Sequence, residues 1–288
     1  MKVLIAGATG LVGTHLRQGL ERAGHTCESV SRQAGRGYTW ERSSLEAGVA
    51  ACDAVVQLAG AGVIDRRWSP AYKREIRTSR VDTTRALAWA CARSGRTLIS
   101  SSAVGYYGPT RMGDPRHEDS PPGDDFLAHV CRDWEDALEP ARQAGVPVAV
   151  VRLGVVLAAR GGALARMLGP FRLGLGGPIG AGTQPFPWVH MDDVVRLLGG
   201  LATEAPRPGV YNAVAPGICD QRSFARELGR ALHRPALLPA PGLALRALLG
   251  ERAELLTTGQ HVEPRHTLRS GFEFAHPELA GALQSLLA

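Results

Sequence analysis

The amino-acid sequence predicts an α/β fold, a doubly wound parallel sheet followed by a small, mostly helical C-terminal lobe. Three observations predict it. Short apolar runs alternate with helical patterns through the first half, a glycine turn joins the first run to the first helix, and the texture changes after Arg152. The chain has 288 residues, 44% of them hydrophobic and 21% charged. That length suits two domains, or one large and one small, and that composition excludes disorder for the bulk of the chain.

Residues 3–6, 26–30, 54–58, 97–101 and 148–152 are short, largely apolar runs that read as strands. A strand buried on both faces shows a continuous apolar run rather than alternation. Between the runs, residues 14–23, 74–92 and 127–144 carry apolar positions at helical spacing. Right-handed crossovers then build a sheet with helices on both faces. From 153 to 185, Gly161, Gly162, Gly174, Gly176, Gly177, Gly180 and Gly182 alternate with Pro170, Pro178 and Pro185, which excludes a long helix or a central strand. A strand-to-helix pattern resumes at 189–194, with Asp192 or Asp193 expected to cap a helix over 194–202. Residues 209–215 read as a strand and 223–232 as a helix capped by Ser223, and 237–288 as a helical lobe against the carboxyl edge of the sheet. The expected division is 1–152 with about 186–215 in one domain, and 153–185 with 216–288 on the other side of a cleft.

Several function classes drop out. No apolar run approaches the roughly 18 residues of a membrane span, and Met1-Lys2 leads into a strand rather than a cleavable leader, so a cytoplasmic protein with no membrane partner is expected. The five cysteines show no C-x-x-C spacing, which argues against a disulfide framework or a zinc site, and no metal is expected. Net charge is +6, but only Lys2 and Lys73 are lysines, the arginines are scattered, and aromatics make up 6%. An arginine-rich solvated surface is therefore expected and no nucleic-acid partner, with a monomer or homodimer as the assembly.

The informative motif is Gly7-Ala8-Thr9-Gly10-Leu11-Val12-Gly13, which ends the first strand and opens the first helix. One glycine makes the tight turn, one lets the backbone approach a pyrophosphate, and one allows close helix-to-strand packing. In this context the pattern reads as a dinucleotide site in a Rossmann-type sheet. Ser31 and Arg32 stand at the end of the second strand with Arg36 beyond, and no carboxylate occupies that strand end. An acidic residue there would meet a free ribose hydroxyl, whereas an arginine suits a 2′-phosphate, so NADP(H) is the expected cofactor. Leu58-Ala59-Gly60 ends the third long strand with small residues that let the cofactor lie close, and Ser100-Ser101-Ser102 ends the next, followed by Tyr106-Tyr107.

With these residues the sequence resembles the extended short-chain dehydrogenase/reductases, in the NAD-dependent epimerase/dehydratase-like family. Within that family it is similar to an epimerase-like subgroup of unassigned substrate that carries a C-terminal domain of unknown function. Arg67-Trp68, Glu75, Ser79-Arg80, Cys131 through Glu135, Gly169-Pro170-Phe171 and Trp188-Val189-His190 also carry the likeness. The resemblance implies cofactor contacts from Gly7, Thr9, Gly10, Leu11, Val12, Gly13, Ser31, Arg32, Leu58, Ala59, Gly60, Glu75, Arg80, Ser100 and Ser101. It also exposes a departure. Active members of the wider superfamily carry Tyr-x-x-x-Lys on the helix facing the nicotinamide, and Leu127 and Cys131 stand at those positions here. Neither can donate a proton or hold a ribose with positive charge. Ser102, Tyr106 and Tyr107 are the candidates to supply the proton instead, and Arg172 and Trp188, beside the glycine-rich 174–182 loop, are candidate substrate contacts. The expected function is hydride transfer at a carbonyl or carbinol carbon of a small sugar-like or nucleotide-sugar-like substrate. The alternative is a non-catalytic NADPH-binding redox sensor or interaction protein.

Overall fold

The computed structural model describes residues 1–32, 35 and 37–288. Arg36, expected beside the cofactor, lies outside the described residues. Seven strands form one parallel sheet: β1 (Lys2–Ala6), β2 (Thr26–Ser31), β3 (Tyr38–Thr39), β4 (Ala54–Gln57), β5 (Thr97–Ala103), β6 (Val148–Leu153) and β7 (Gly209–Ala213). Their spatial order is β3-β2-β1-β4-β5-β6-β7, so the winding reverses between β1 and β4. Ligands of doubly wound sheets bind beyond the carboxyl ends of the strands at such a reversal.

Alternation along β1 sorts the core into two layers. Val3 and Ile5 pack with Leu16 and Leu20 of α1 (Leu11–Arg22) and with Val194, Leu197 and Leu201 from a helix beyond residue 190. Leu4 and Ala6 face the other way, toward Leu45 and Val49 of α2 (Arg42–Ala50) and Leu87 and Cys91 of α3 (Pro70–Ser94). The 25-residue α3 starts where the Ser69 hydroxyl accepts the Tyr72 amide with Pro70 in the first turn, and ends where Gly95 turns left-handed at φ 68°.

The helix expected over 127–144 is two, α4 (Phe126–Asp136) and α5 (Glu139–Gln143). Pro140 has no N–H to continue the ladder and disfavours helical geometry before it, which splits the pattern. In the glycine-rich stretch, α6 (Gly162–Arg172) forms despite Pro170, because Leu164, Leu168 and Phe171 bury one face and the proline sits in its last turn. The next helix, α7 (Met191–Thr203), is capped by the His190 ring, which accepts the Asp192 amide at 3.0 Å, and not by Asp192 or Asp193. Asp193 is instead buried, accepting the amides of Ala275 and His276 at 2.7 and 3.0 Å. Likewise α8 (Gln221–Ala231) is capped by Asp220, whose carboxylate accepts the Ser223 amide, with Ser223 already inside the helix.

After residue 240 come α9 (Gly242–Leu249), α10 (Glu254–Thr257), α11 (Arg265–Arg269) and α12 (Leu279–Leu287). A third apolar cluster joins Phe171, Phe224 and Leu228 to Leu279 and Leu283. Trp188 lies in the middle of it, 1% exposed, with its indole N–H donating to the Gly217 carbonyl, which removes it from any substrate contact. No helix of the described residues is long and apolar enough to cross a membrane.

Candidate functional site

The winding reversal and the glycine turn coincide. Gly7, at φ 87°, lies so close to the chain leaving β4 that an added Cβ would sit 2.7 Å from the Leu58 carbonyl carbon and 2.8 Å from the Ala59 nitrogen. At Gly13 a Cβ would meet the Gly7 oxygen at 2.2 Å, so α1 reaches the sheet only because both positions lack side chains. Helix α1 begins at Gly10 with no side-chain cap and no acidic residue in its first turn. Its first amides, at Leu11, Val12 and Gly13, thus form a positive end suited to a diphosphate. Thr9 and Gly10 are exposed at the rim. This geometry fits a dinucleotide, with a phosphate cradle that any larger residue would fill.

The far wall is held by a residue the sequence did not flag. Gln57, fully buried at the end of β4, donates from Nε2 to Thr83 Oγ1 at 2.7 Å and accepts the Ala59 amide on Oε1 at 3.0 Å. Those bonds set the direction of Leu58-Ala59-Gly60. The Ala61 amide donates to Ser79 Oγ on α3, and Arg80 crosses Gly60 closely enough that a Cβ there would be 3.1 Å from its Cζ. Arg80 donates to the Ile76 carbonyl, stacks over Trp134 at 5.2 Å and has no carboxylate partner among the described residues. Burial lowers its pKa, so an anion beside it would be favoured. Glu75, one and a half turns earlier on α3, faces solvent and pairs with Arg66 at 3.1 Å rather than with Arg80. Ser31 ends β2 and the exposed Arg32 follows it, with no ion pair to any described carboxylate. Ser100 and Ser101 are not at the cleft surface. Both are buried in β5, their hydroxyls donating to the Ser101 and Gln57 carbonyls.

The corner where proton transfer was expected is built differently. Asp125 caps α4 through the Leu127 and Ala128 amides, which turns Leu127 and Cys131 toward Gly105 beyond β5. Burial pushes the Cys131 thiol up to about 12, leaving a small apolar residue rather than a nucleophile. One turn on, Glu135 accepts the Ser102 hydroxyl at 2.7 Å and a two-pronged contact from Arg152 at 2.9 and 2.8 Å. Burial pulls the Arg152 guanidinium down but Glu135 more than offsets it, so the guanidinium stays charged. Arg152 also donates to the Tyr107 hydroxyl at 2.9 Å and to the Glu118 carbonyl at 3.1 Å. Tyr107 in turn donates to Asn212 Oδ1, and burial pushes its phenol up to about 12. Glu118 reaches across to the C-terminal segment, its Oε1 accepting the amides of Asn212 and Thr267 at 3.2 Å each.

The structure therefore brings Ser102 and Tyr107 together, but inside a buried ionic network in which both hydroxyls already have partners. Tyr106 is different. Its ring lies 3.5 Å from the Arg152 Cζ and edge-on to Tyr107, and its hydroxyl has no hydrogen-bond partner among the described residues. Beyond the same strand end a cavity of about 730 Å³ opens, lined by Thr110, Arg111, Gln184, Leu243, Arg246 and Thr258. That volume lies within the range of small-molecule sites.

Comparison with known proteins agrees with this architecture. Residues 3–213 match the model of the NAD dependent epimerase/dehydratase family, and 240–286 match a domain of unknown function. Epimerase family protein SDR39U1 of Mus musculus is 43% identical, with both chains covered in full. The crystal structure of the human epimerase family protein SDR39U1 with NADPH superposes with a TM-score of 0.93 at 40% identity, covering 100% of this chain and 99% of that one. A nucleoside-diphosphate sugar epimerase from Corynebacterium glutamicum is 33% identical with a TM-score of 0.80, covering 100% of this chain and 58% of that one.

Proposed function

Because the chain belongs to the NAD-dependent epimerase/dehydratase family, we propose that it binds NADP(H) and transfers hydride at a carbonyl or carbinol carbon of a small sugar-like or nucleotide-sugar-like substrate. The observation that carries this reading is the backbone cradle at Gly7 and Gly13, set at the winding reversal. It is supported by the human relative's structure with NADPH.

The first amides of α1 would hold the diphosphate, and Arg32 a 2′-phosphate at the end of β2. Leu58, Ala59 and Gly60 give the cofactor a close, flat wall, and Arg80 presents positive charge from α3. When bound, the nicotinamide supplies the hydride chemistry and the protein supplies position and a proton. Ser102 and Tyr107 hold α4 to the sheet through Glu135 and Arg152. Tyr106 is then the proton donor, its ring oriented by the guanidinium beneath it and its hydroxyl, unpartnered among the described residues, available to a substrate oxygen. A second reading, NADPH binding without turnover, is favoured by Leu127 and the buried Cys131 at the Tyr and Lys positions.

The test loads the protein with NADPH and offers sugars, nucleotide sugars and ketones. Substrate-dependent loss of nicotinamide absorbance that Tyr106→Phe abolishes, with NADPH affinity unchanged, supports hydride transfer with Tyr106 as donor. Consumption that survives Tyr106→Phe removes that residue from the mechanism. Absence of consumption across the panel favours the binding protein. In parallel, Arg32→Asp should weaken NADPH far more than NADH, and equal weakening of both would refute the 2′-phosphate role.

A further inference from the structure

Four of the arginines that look scattered along the chain gather on one face of the fold. On α8, Arg222, Arg226 and Arg230 are one turn apart and all exposed, and Arg234 continues the row beyond the helix with His233 beside it. These five line a groove of about 700 Å³. Among the described residues Glu227 is the sole carboxylate paired with the row, at 2.6 Å from Arg230 and 4.0 Å from Arg226. Most of the positive charge is left uncompensated.

The rim of this groove is apolar where water should make it polar. Leu237, a groove residue, is 80% exposed. Arg234 donates from Nε to the Arg172 carbonyl, and Gly174 abuts Pro235, so the turn after α6 is fastened to the groove wall. That turn carries Leu173 and Leu175, which are 76% and 60% exposed. Three protruding leucines thus border a row of four guanidinium groups that share a single carboxylate, Glu227.

We propose that this face docks on a bilayer surface bearing anionic phospholipid headgroups, with the arginines on headgroup phosphates and the three leucines at the acyl boundary. Charge alone would suit any polyanion, but protruding leucines gain free energy only in an apolar medium. A nucleic-acid groove would offer large aromatic rings for base stacking, and no Phe, Tyr or Trp lines this one. A basic patch combined with apolar insertion gives the two signals that peripheral binding requires. This surface lies on α8 and the turn after α6, and the proposal stands independently of the hydride-transfer reading.

The test is co-sedimentation of the full chain, loaded with NADPH, with phosphatidylcholine vesicles that contain or lack phosphatidylserine. The protein should sediment only with the anionic vesicles and be released as salt rises, because the attraction is screened within a Debye length. Each arginine neutralised in Arg226→Gln/Arg230→Gln should weaken partitioning about fivefold. Leu173→Ser/Leu175→Ser should weaken it too, while Arg85→Gln, an exposed arginine on α3, should leave it unchanged. NADPH affinity serves as the folding control for each variant. Should the double arginine variant not fold, inorganic tripolyphosphate must displace the wild-type protein from the vesicles. Equal sedimentation with both vesicle types, indifference to these variants or to tripolyphosphate, or capture by an acidic peptide or RNA without vesicle binding would overturn the proposal.

Discussion

The cofactor cleft and the corner beside it lie a few residues apart on the same sheet edge and are built on opposite terms. In the cleft, side chains have been removed. Gly7 and Gly13 leave room for a ligand, α1 starts without a cap, and Arg80 has no carboxylate partner among the described residues. In the corner, side chains have been added and paired. Ser102, Glu135, Arg152, Tyr107 and Asn212 satisfy one another in the interior. The first region is arranged to receive charge from outside, the second to neutralise its own. Cofactor binding and proton transfer are thus separable properties of this fold, and a chain can keep the machinery of one while rebuilding the other.

Three measurements break or sharpen that contrast. Arg152→Met should have the largest effect, because it removes the cation that pairs with Glu135 in the interior, at a cost of about 3–5 kcal/mol. Thermal melting should show a large loss of stability with NADPH affinity retained at temperatures where the variant is folded. A comparable loss of NADPH affinity would mean that the two regions are coupled. Gly13→Ala should do the converse. Its methyl carbon would meet the Gly7 oxygen, costing about 1–3 kcal/mol as α1 is forced off the sheet, and NADPH titration should show weakened binding. Unchanged affinity would mean that close approach of α1 is not needed to hold the diphosphate.

The smallest effect concerns acid. Burial, and then the stacked His276, hold the pKa of His190 below its ordinary 6.5 against the opposing pull of Asp192 and Asp193. A histidine with a depressed folded-state pKa contributes stability above about 6.5, where both states are neutral, and loses it as pH falls toward the folded-state value. Denaturation measured across that range should show stability declining with acid. His190→Asn should flatten the decline, whereas an unchanged slope would assign the acid sensitivity elsewhere.

What could be read from the sequence follows the range of the forces involved. The glycine turn and the buried strands were legible because their signals are local, a spacing or a run within one element, whereas Leu127 and Cys131 stand out only through the family resemblance. The short α2 and β3 left no comparable pattern. Gln57 and Glu118 were not legible, and Asp193 was legible only as a helix cap, because each is a polar residue whose meaning lies in a partner 26 or more residues away. Ser102, inside β5, and Tyr107, in the turn after it, give no sign in their own neighbourhood that Glu135 and Arg152 occupy their hydroxyls. The basic row is the opposite case. Arginines at 222, 226, 230 and 234 stand four apart, a helix-face spacing present in the sequence that consecutive runs of charge do not reveal.

The Glu118 carboxylate also bears on how the chain folds. It accepts backbone amides from Asn212, 94 residues away, and Thr267, 149 residues away. Contacts of such sequence separation form only after large loops have closed, which is entropically expensive and slow. The segment carrying Thr267 therefore completes a buried cluster begun by the first half. Until that segment docks, the sheet must leave the carboxylate in water, and a protease that nicks the segment would return it there.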